Sequence, residues 1–496
     1  MAKPVAAKDV TIEPLRLEAI SLRAYRAFSA EERISIKGRN LIIYGENGSG
    51  KSSIYRALRD LFSRAPSPKT LSAAAHVHEL DESLTPRVTI EFNRGDPLEW
   101  EDGKHPGQTP ADPRIAQTAL RSAFLDYQSL LETNALHGSK KPNLFDLAIS
   151  LLLPDFANAV GGKTIAERWQ ALRIPDRHRK DDSHLPAVET ACSDFNEAME
   201  LAIDALTPMV NQLLAELGHA QITIPTFKRG TIRYNNERLK RDRSFKGMTL
   251  FPELEFRGHS PSAPQLFLNE ARLSALALAI YFAGRLTCVP SGASSALKLL
   301  VLDDVLVGLD YSNRRPLLDV LAKHFGDWQI ILLTHDRHWF EIVRAAIPAD
   351  RWTCHELYEM VAVTGEGTPF LRPVAQSVVT ATLDQADAFI VQKHLPAAAN
   401  YARSACEIFF RKYCEDHKLK FPYAADPKKK VTFDKLRAEI ATHVAADAAK
   451  KAAMKALEPF QQRILNPLSH DPTTSLNEAE VVAAIKAVRA MVDALK

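Results

Sequence analysis

Glycine, cysteine and long apolar runs are all scarce in this 496-residue chain. With 20 glycines and 29 prolines, neither a collagen-like nor a low-complexity architecture is open to it. Its five cysteines (Cys192, Cys288, Cys354, Cys406 and Cys414) are scattered and form no CxxC pair. A disulfide framework and a zinc site are both excluded by that pattern. No continuous apolar run reaches the ~18 residues of a membrane span; the longest candidates, around Ala275–Ala283 and Ile330–Leu333, fall well short. The first 20 residues carry Lys3, Lys8, Asp9, Glu13 and Arg16 without an apolar stretch, so no secretory signal is expected. A soluble, reduced, cytoplasmic protein with no membrane partner is the expectation. An excess of one charge is missing too. Lys and Arg number 63 against 60 Asp and Glu, a net charge of +3, so any nucleic-acid binding must come from local patches.

What is present is globular: 46% hydrophobic, 25% charged and 8% aromatic residues. At ~100–200 residues per domain, this length predicts two to four domains. Asn40–Tyr44 reads as an apolar strand running into glycines, and Ser52–Phe62 as the helix after them. From Ala187 to Leu217, apolar residues (Phe195, Met199, Ile203, Leu206, Val210, Leu213) recur at three- and four-residue steps, which predicts a short helical insertion. Strand-like segments follow at Gln221–Phe227 and Thr249–Phe256, then a helix over Leu268–Leu286 and buried strands at Leu297–Leu302 and Gln329–Leu333. Strand and helix therefore alternate on both sides of the insertion, as in an α/β core with a parallel sheet. After Val378 only helices are expected, over Gln385–His417, Phe433–His443, Asp447–Leu465 and Leu476–Leu495. The expected divisions are 1–163 and 221–377 for two halves of one α/β domain, 164–220 for the insertion and 378–496 for an all-α bundle.

Gly45-Glu46-Asn47-Gly48-Ser49-Gly50-Lys51-Ser52-Ser53 contains GxxxxGK[ST] between that strand and that helix. Glycines let backbone N–H groups curl around phosphate oxygens at a helix N-terminus, a lysine neutralises the β/γ-phosphates, and a serine hydroxyl ligates Mg²⁺. The phosphates of a nucleotide and Mg²⁺ are the ligands this spacing implies, with Lys51 on the phosphates and Ser52 on the metal. Leu299–Leu302 then ends in Asp303 and Asp304. That puts one carboxylate beside the metal and the next where it can polarise an attacking water. Ile330–Thr334 ends likewise in His335, in reach of a γ-phosphate as a polar sensor.

These motifs, in this order, resemble the ABC-type ATPases of the SMC, RecF and overcoming-lysogenization-defect class found in prokaryotic anti-phage defence. The opening Ile20–Phe28, with Arg26, is similar to the start of such heads. The resemblance implies an ABC-type ATPase head with a short, coiled-coil-like helical insertion, followed by an all-α C-terminal bundle. It also implies that two heads sandwich ATP, as a homodimer or higher oligomer. Each would lend its partner a signature helix, here Leu268-Asn269-Glu270-Ala271-Arg272, with Asn269 toward the nucleotide. Gln128 resembles the Q-loop metal ligand, and Gly308-Leu309-Asp310 the D-loop that crosses the dimer interface. Two departures from the pattern predict slow hydrolysis: Asn269, Glu270 and Ala271 replace the usual signature Ser and Gly, and Asp304 replaces the usual Glu.

Two further segments bear on partners. Between Lys228 and Lys246 lie eight cations, among them Arg238, Lys240, Arg241 and Arg243, with Phe227, Tyr234 and Phe245 interleaved. Such a run either neutralises phosphates and stacks bases or is a solvated hairpin. Arg463 and His470 stand seven residues apart near a helix end. Together they resemble the HEPN ribonuclease motif, as in anticodon nucleases of the PrrC and RloC type; the alternative is a Pro-turn capped by His470 in a docking bundle. The functional expectation is a nucleotide-controlled switch that acts on DNA or tRNA and governs a nuclease. That nuclease would be its own C-terminal bundle or a partner protein. The alternative is a RecF-like DNA-repair clamp with no nuclease.

Overall fold

The computed structural model describes residues 13–62, 85–101, 104–108, 111–127, 129–130, 143–158, 162–172, 183–237, 239–261, 267–289, 296–305, 311–348, 350–361, 367–374, 378–420, 432–460 and 476–495. They divide into two compact units, Met1–Arg372 and Pro373–Lys496.

The first unit is built on two sheets. One is antiparallel, in the order β2 (Glu32–Ser35), β1 (Leu17–Arg23), β4 (Arg87–Phe92), β5 (Leu98–Glu101). The other has six strands, in the order β14 (Gly367–Pro373), β13 (Trp352–Val361), β3 (Asn40–Gly45), β12 (Gln329–Thr334), β11 (Leu299–Asp303), β6 (Ser122–Asp126). From β13 to β6 every pairing is parallel. Parallel strands buried on both faces read as unbroken apolar runs, and all five residues of β11 and all six of β12 are buried.

Alternate residues serve opposite faces of this sheet. Leu41, Ile43, Leu299, Val301, Ile331 and Leu333 share one core with β1, β4 and helix α1 (Lys51–Leu61). Gln329, fully buried, fastens the two sheets: its Oε1 accepts from Leu17 N at 2.8 Å, and its Nε2 donates to Leu17 O at 3.0 Å and Arg39 O at 2.7 Å. A short helix, α2 (Pro113–Ala119), capped by Asp112, leads into β6.

The insertion comprises α3 (Ile165–Ala171), opened by a Thr164/Glu167 capping box, and the 32-residue α4 (Leu185–Glu216). Two asparagines of α4 fix the chain that follows. Asn211 exchanges two hydrogen bonds with the backbone of Ile224, and Asn196 two with Ile232. That chain forms β7 (Ile222–Arg229), which pairs antiparallel with β10 (Leu250–Phe256), and a small hairpin of β8 (Arg233–Asn235) and β9 (Ser244–Lys246).

Helix α5 (Glu270–Cys288) returns the chain to the parallel sheet. By length and composition it could cross a membrane, but 83% of its apolar window is buried inside the fold, as in a core helix. Helices α6 (Tyr311–His324) and α7 (Arg337–Ala346) complete the unit.

Among the described residues, the second unit is built from helices: α8 (Val378–Val391), α9 (Leu395–Asp416), α10 (Phe433–His443), α11 (Ala448–Ala456) and α12 (Glu478–Leu495). Ala398, Ala402, Ala405 and Phe410 of α9 share its core with Val481, Ile485 and Val488 of α12. The single helix expected over Gln385–His417 is in fact two. Lys393 takes a left-handed φ of 61°, and Pro396 lies in the first turn of α9, where its missing N–H costs no intrahelical bond.

Candidate functional site

Strand β3 ends at Gly45, and the loop to α1 needs backbone conformations that side chains resist. Gly48 has φ 89° and Gly50 φ 100°, which only glycine adopts cheaply. Space is short as well, since a Cβ on Gly50 would lie 3.2 Å from both Ala27 and Pro369. Glu46 and Asn47 are exposed at the loop tip, and Ser49 and Lys51 are buried. Lys51 Nζ donates to the carbonyls of Gly45 at 2.7 Å and Glu46 at 2.9 Å. Burial lowers the Lys51 pKa, and the carboxylates Asp304 and Asp303 pull it back up.

Strand order decides what faces this loop. Because β12 lies between β3 and β11, the ends of three adjacent parallel strands deliver Gly45, His335 and Asp303/Asp304 side by side. Asp303 is 5% exposed. Burial pushes its carboxyl up to about 6, with the Asp304 and Asp126 charges adding to the rise; the Ser52 hydroxyl hydrogen bond and Lys51 oppose it. One oxygen, Oδ1, is buried without a hydrogen-bond partner. An unpartnered carboxylate oxygen beside a serine hydroxyl is an oxygen pair that a hard divalent cation fits. Asp304 takes a left-handed φ of 52°, a conformation that costs a non-glycine residue about 1–3 kcal/mol and recurs at functional sites. Its Oδ1 accepts the backbone N–H of His335 at 2.8 Å. His335 Nδ1 lies 2.8 Å from the same oxygen, outside hydrogen-bond geometry for the ring.

Arg26 belongs to the same neighbourhood. Its guanidinium lies 5.7 Å from the centre of the Tyr25 ring. The next amide, Ala27 N–H, donates to Ser53 Oγ in the first turn of α1 at 3.4 Å. Asn269 is apart from this cluster: it is exposed and caps α5, its Oδ1 accepting Arg272 N–H at 3.1 Å. Gln128, Gly308, Leu309, Asp310, Arg463 and His470 lie outside the described residues.

The basic segment needs one correction. Arg243 is only 4% exposed, and its Nε donates to Glu237 O at 3.0 Å. Held inward, it cannot present its charge to a phosphate. Arg241, with 82% of its side chain exposed, can. Arg238 and the Lys240 side chain lie outside the description. Lys228, Arg233 and Lys246 are exposed, and Arg233 stands directly opposite Lys246 across the β8/β9 pair.

Two groups escaped the sequence reading. Asp126 ends β6 in parallel register with Asp303, and its Oδ1 accepts Ser129 N–H at 2.8 Å. It is a third carboxylate at this sheet end, and the only sequence signal for it was its place after Phe124-Leu125. Glu356 on β13, opposite Tyr44, is 1% exposed and is held by Arg337, Arg372 and the Tyr358 hydroxyl. Arg337 also lies over the Tyr44 ring at 5.0 Å. An ion cluster around the buried Glu356 carboxylate, with half-exposed arginines, thus braces the strand that enters the Gly45–Lys51 loop.

No family model and no curated protein matches the chain in sequence. Solved structures similar to it include an SMC head domain from Thermotoga maritima, 16% identical over 72% of this chain and 99% of that one, TM-score 0.36. Another is an Smc head domain with an extended coiled coil, bound to the C-terminal domain of ScpA and derived from Pyrococcus furiosus, 14% identical over 75% and 99%, TM-score 0.39. A third is the recombination mediator protein RecF with ATP, 14% identical over 72% and 99%, TM-score 0.39. Superpositions this loose carry no functional conclusion, which must rest on the geometry above.

Proposed function

We propose that this chain is an ABC-type ATPase that binds ATP with Mg²⁺ at the phosphate loop and hydrolyses it slowly. One observation carries the reading: Lys51, Ser52, Asp303, Asp304 and His335 converge where three adjacent parallel strands end. In this reading Lys51 leaves the loop carbonyls for the β/γ-phosphates, and the amides of Gly48–Ser52 cradle their oxygens. Ser52 and Asp303 hold the cation, which supplies charge neutralisation on the phosphates when bound. Asp304, steadied by His335 N–H, takes a proton from the attacking water, and His335 senses the γ-phosphate. Equilibrium ATP binding tests this. Lys51→Ala should weaken affinity about a hundredfold, the scale of losing a charged hydrogen-bond donor from a buried site, and unchanged affinity would overturn the assignment.

The finer reading keeps the pairing of heads through Asn269 and the control of a nuclease in anti-phage defence, with exposed cations of the insertion hairpin touching nucleic acid. Support for the hairpin is electrostatic. Like charges directly opposite in a sheet destabilise it, and an anion seated between Arg233 and Lys246 relieves that repulsion. RNA cleavage that disappears in His470→Ala would assign the nuclease to this chain. Wild-type protein without cleavage would move the nuclease to a partner, or favour the DNA clamp.

A further inference from the structure

In the helical unit, α9 and α10 each end on a histidine. His417 is the C-cap of α9 and His443 the last residue of α10, and both are exposed. Tyr413, one turn before His417 and 4% exposed, engages both rings. His417 Nδ1 donates to the Tyr413 carbonyl at 3.0 Å, and its ring stacks on the phenol at 4.0 Å and 18°. The Tyr413 hydroxyl lies 3.2 Å from His443 Nδ1. Each imidazole is therefore fixed through Nδ1, and among the described residues neither Nε2 has a protein partner. Histidines that ligate a metal are held in this way, with the ring nitrogen that faces away from the metal tied to an oxygen.

We infer that His417 and His443 form a binding site for one borderline divalent metal ion, of the Zn²⁺ or Cu²⁺ kind, coordinated through the two Nε2 atoms. Spacing supports this. Metal–nitrogen bonds of ~2.0–2.1 Å at a tetrahedral angle put two imidazole centres about 5.2 Å apart, and these two stand 5.1 Å apart at 65°. Edge-to-face packing alone allows that distance, but it requires neither the tethered Nδ1 atoms nor the bare Nε2 atoms of two exposed residues. The local field agrees. Helix C-termini carry partial negative charge that favours a cation, and two of them meet here; the Asp447 charge also reaches the Tyr413 hydroxyl. Imidazole donors suit borderline transition metals, whereas Mg²⁺ prefers oxygen, so this ion is not the one expected beside Asp303. Among the described residues no third His, Cys, Asp or Glu completes a shell, which leaves the other positions to water and keeps the ion exchangeable. The donors are all nitrogen, so the scattered cysteines have no part in the site.

Calorimetric titration of the untagged full chain with Zn²⁺, in excess Mg²⁺ to occupy hard-oxygen sites, tests the inference. One ion per chain should bind with a micromolar dissociation constant. His417→Asn and His443→Asn, both at exposed positions, should each weaken that binding at least about tenfold, and the double variant should abolish it. Tyr413→Phe keeps the stacked ring and frees His443 Nδ1, so it should weaken binding roughly tenfold, the scale of removing a ligand's supporting hydrogen bond. With Cu²⁺ as the probe, electron paramagnetic resonance should show two coordinated imidazole nitrogens in the parent and one in either single variant. Three outcomes overturn the proposal: no saturable Zn²⁺ binding at submillimolar concentration, binding unchanged in the double variant, or a copper spectrum of the parent with a single nitrogen. The second would place the ion elsewhere, at the carboxylates of the first unit.

Discussion

Asp304 Oδ1 receives the backbone N–H of His335 at 2.8 Å, and the imidazole Nδ1 stands at the same distance from that oxygen. The two residues come from neighbouring parallel strands, and Asp304 N–H in turn donates to Leu333 O at 3.0 Å. A left-handed turn at Asp304 directs the carboxylate back across the strand end toward β12. Its rotamer is therefore held by a backbone N–H of the neighbouring strand's end. Beyond it, Asp336 caps α7 through Trp339 N–H at 3.0 Å and pairs with Arg314 of α6 at 2.5 Å. Movement at His335 is thereby tied to the helix that follows residues 306–310.

Asp303 should make the ligand-free protein lose stability as pH rises. Its carboxyl is raised to about 6 from the ordinary 3.8, chiefly by burial, so folding favours the protonated form. The cost is absent below about pH 4, grows through pH 6 and persists above it, amounting to about 1–3 kcal/mol. Asp303→Asn keeps the shape and drops the charge, so its melting temperature at pH 7.5 should exceed the parent's by a few degrees. Mg²⁺-dependent ATP binding should be lost in the same variant, and in the parent it should weaken below pH 6. A variant less stable than the parent at pH 7.5 would contradict the burial argument.

Head pairing has a second expected marker besides Asn269. Phe267, two residues before it, is 56% exposed and packs edge-on against Phe256 at 5.1 Å, with Arg272 over the same ring. Asn269→Arg and Phe267→Asp should each leave ATP affinity unchanged and abolish ATP-dependent dimers in light scattering. ATP turnover by strict monomers would rule out the shared site.

Much of this site was legible because it is contiguous. Gly45–Ser53 holds the glycines, lysine and serine of the proposed site within one loop, and the apolar runs ending in Asp303 and His335 announce buried strands. Asp126 was not legible, because it joins Asp303 only through the register of two strands far apart in sequence. Glu356 was hidden for the same reason, since its partners Arg337 and Arg372 lie on other elements. In the basic run, composition could not say which side chains point inward, and Arg243 does. The helix over Gln385–His417 was read as continuous because its apolar spacing survives the break at Lys393.

Neutralising the exposed cations should weaken nucleic-acid binding across sequences alike, because phosphate contacts carry no base information. In Arg233→Gln/Arg241→Gln/Lys246→Gln, each lost contact should remove roughly 0.9 from the log–log salt slope on duplex DNA. Thermal stability should not fall, since the Arg233/Lys246 repulsion goes with the charges. Filter binding across a salt series reads both numbers. Full affinity and full slope would move the surface to residues 428–437.

In the proposed reaction, Asp304 is the carboxylate that activates water in an ATP site built on Lys51. Phosphate release measured alongside ATP binding in Asp304→Ala tests it most directly. Turnover should drop at least about a hundredfold, the contribution expected of a general base, while ATP affinity remains at the parental level. Parental turnover in that variant would contradict the account.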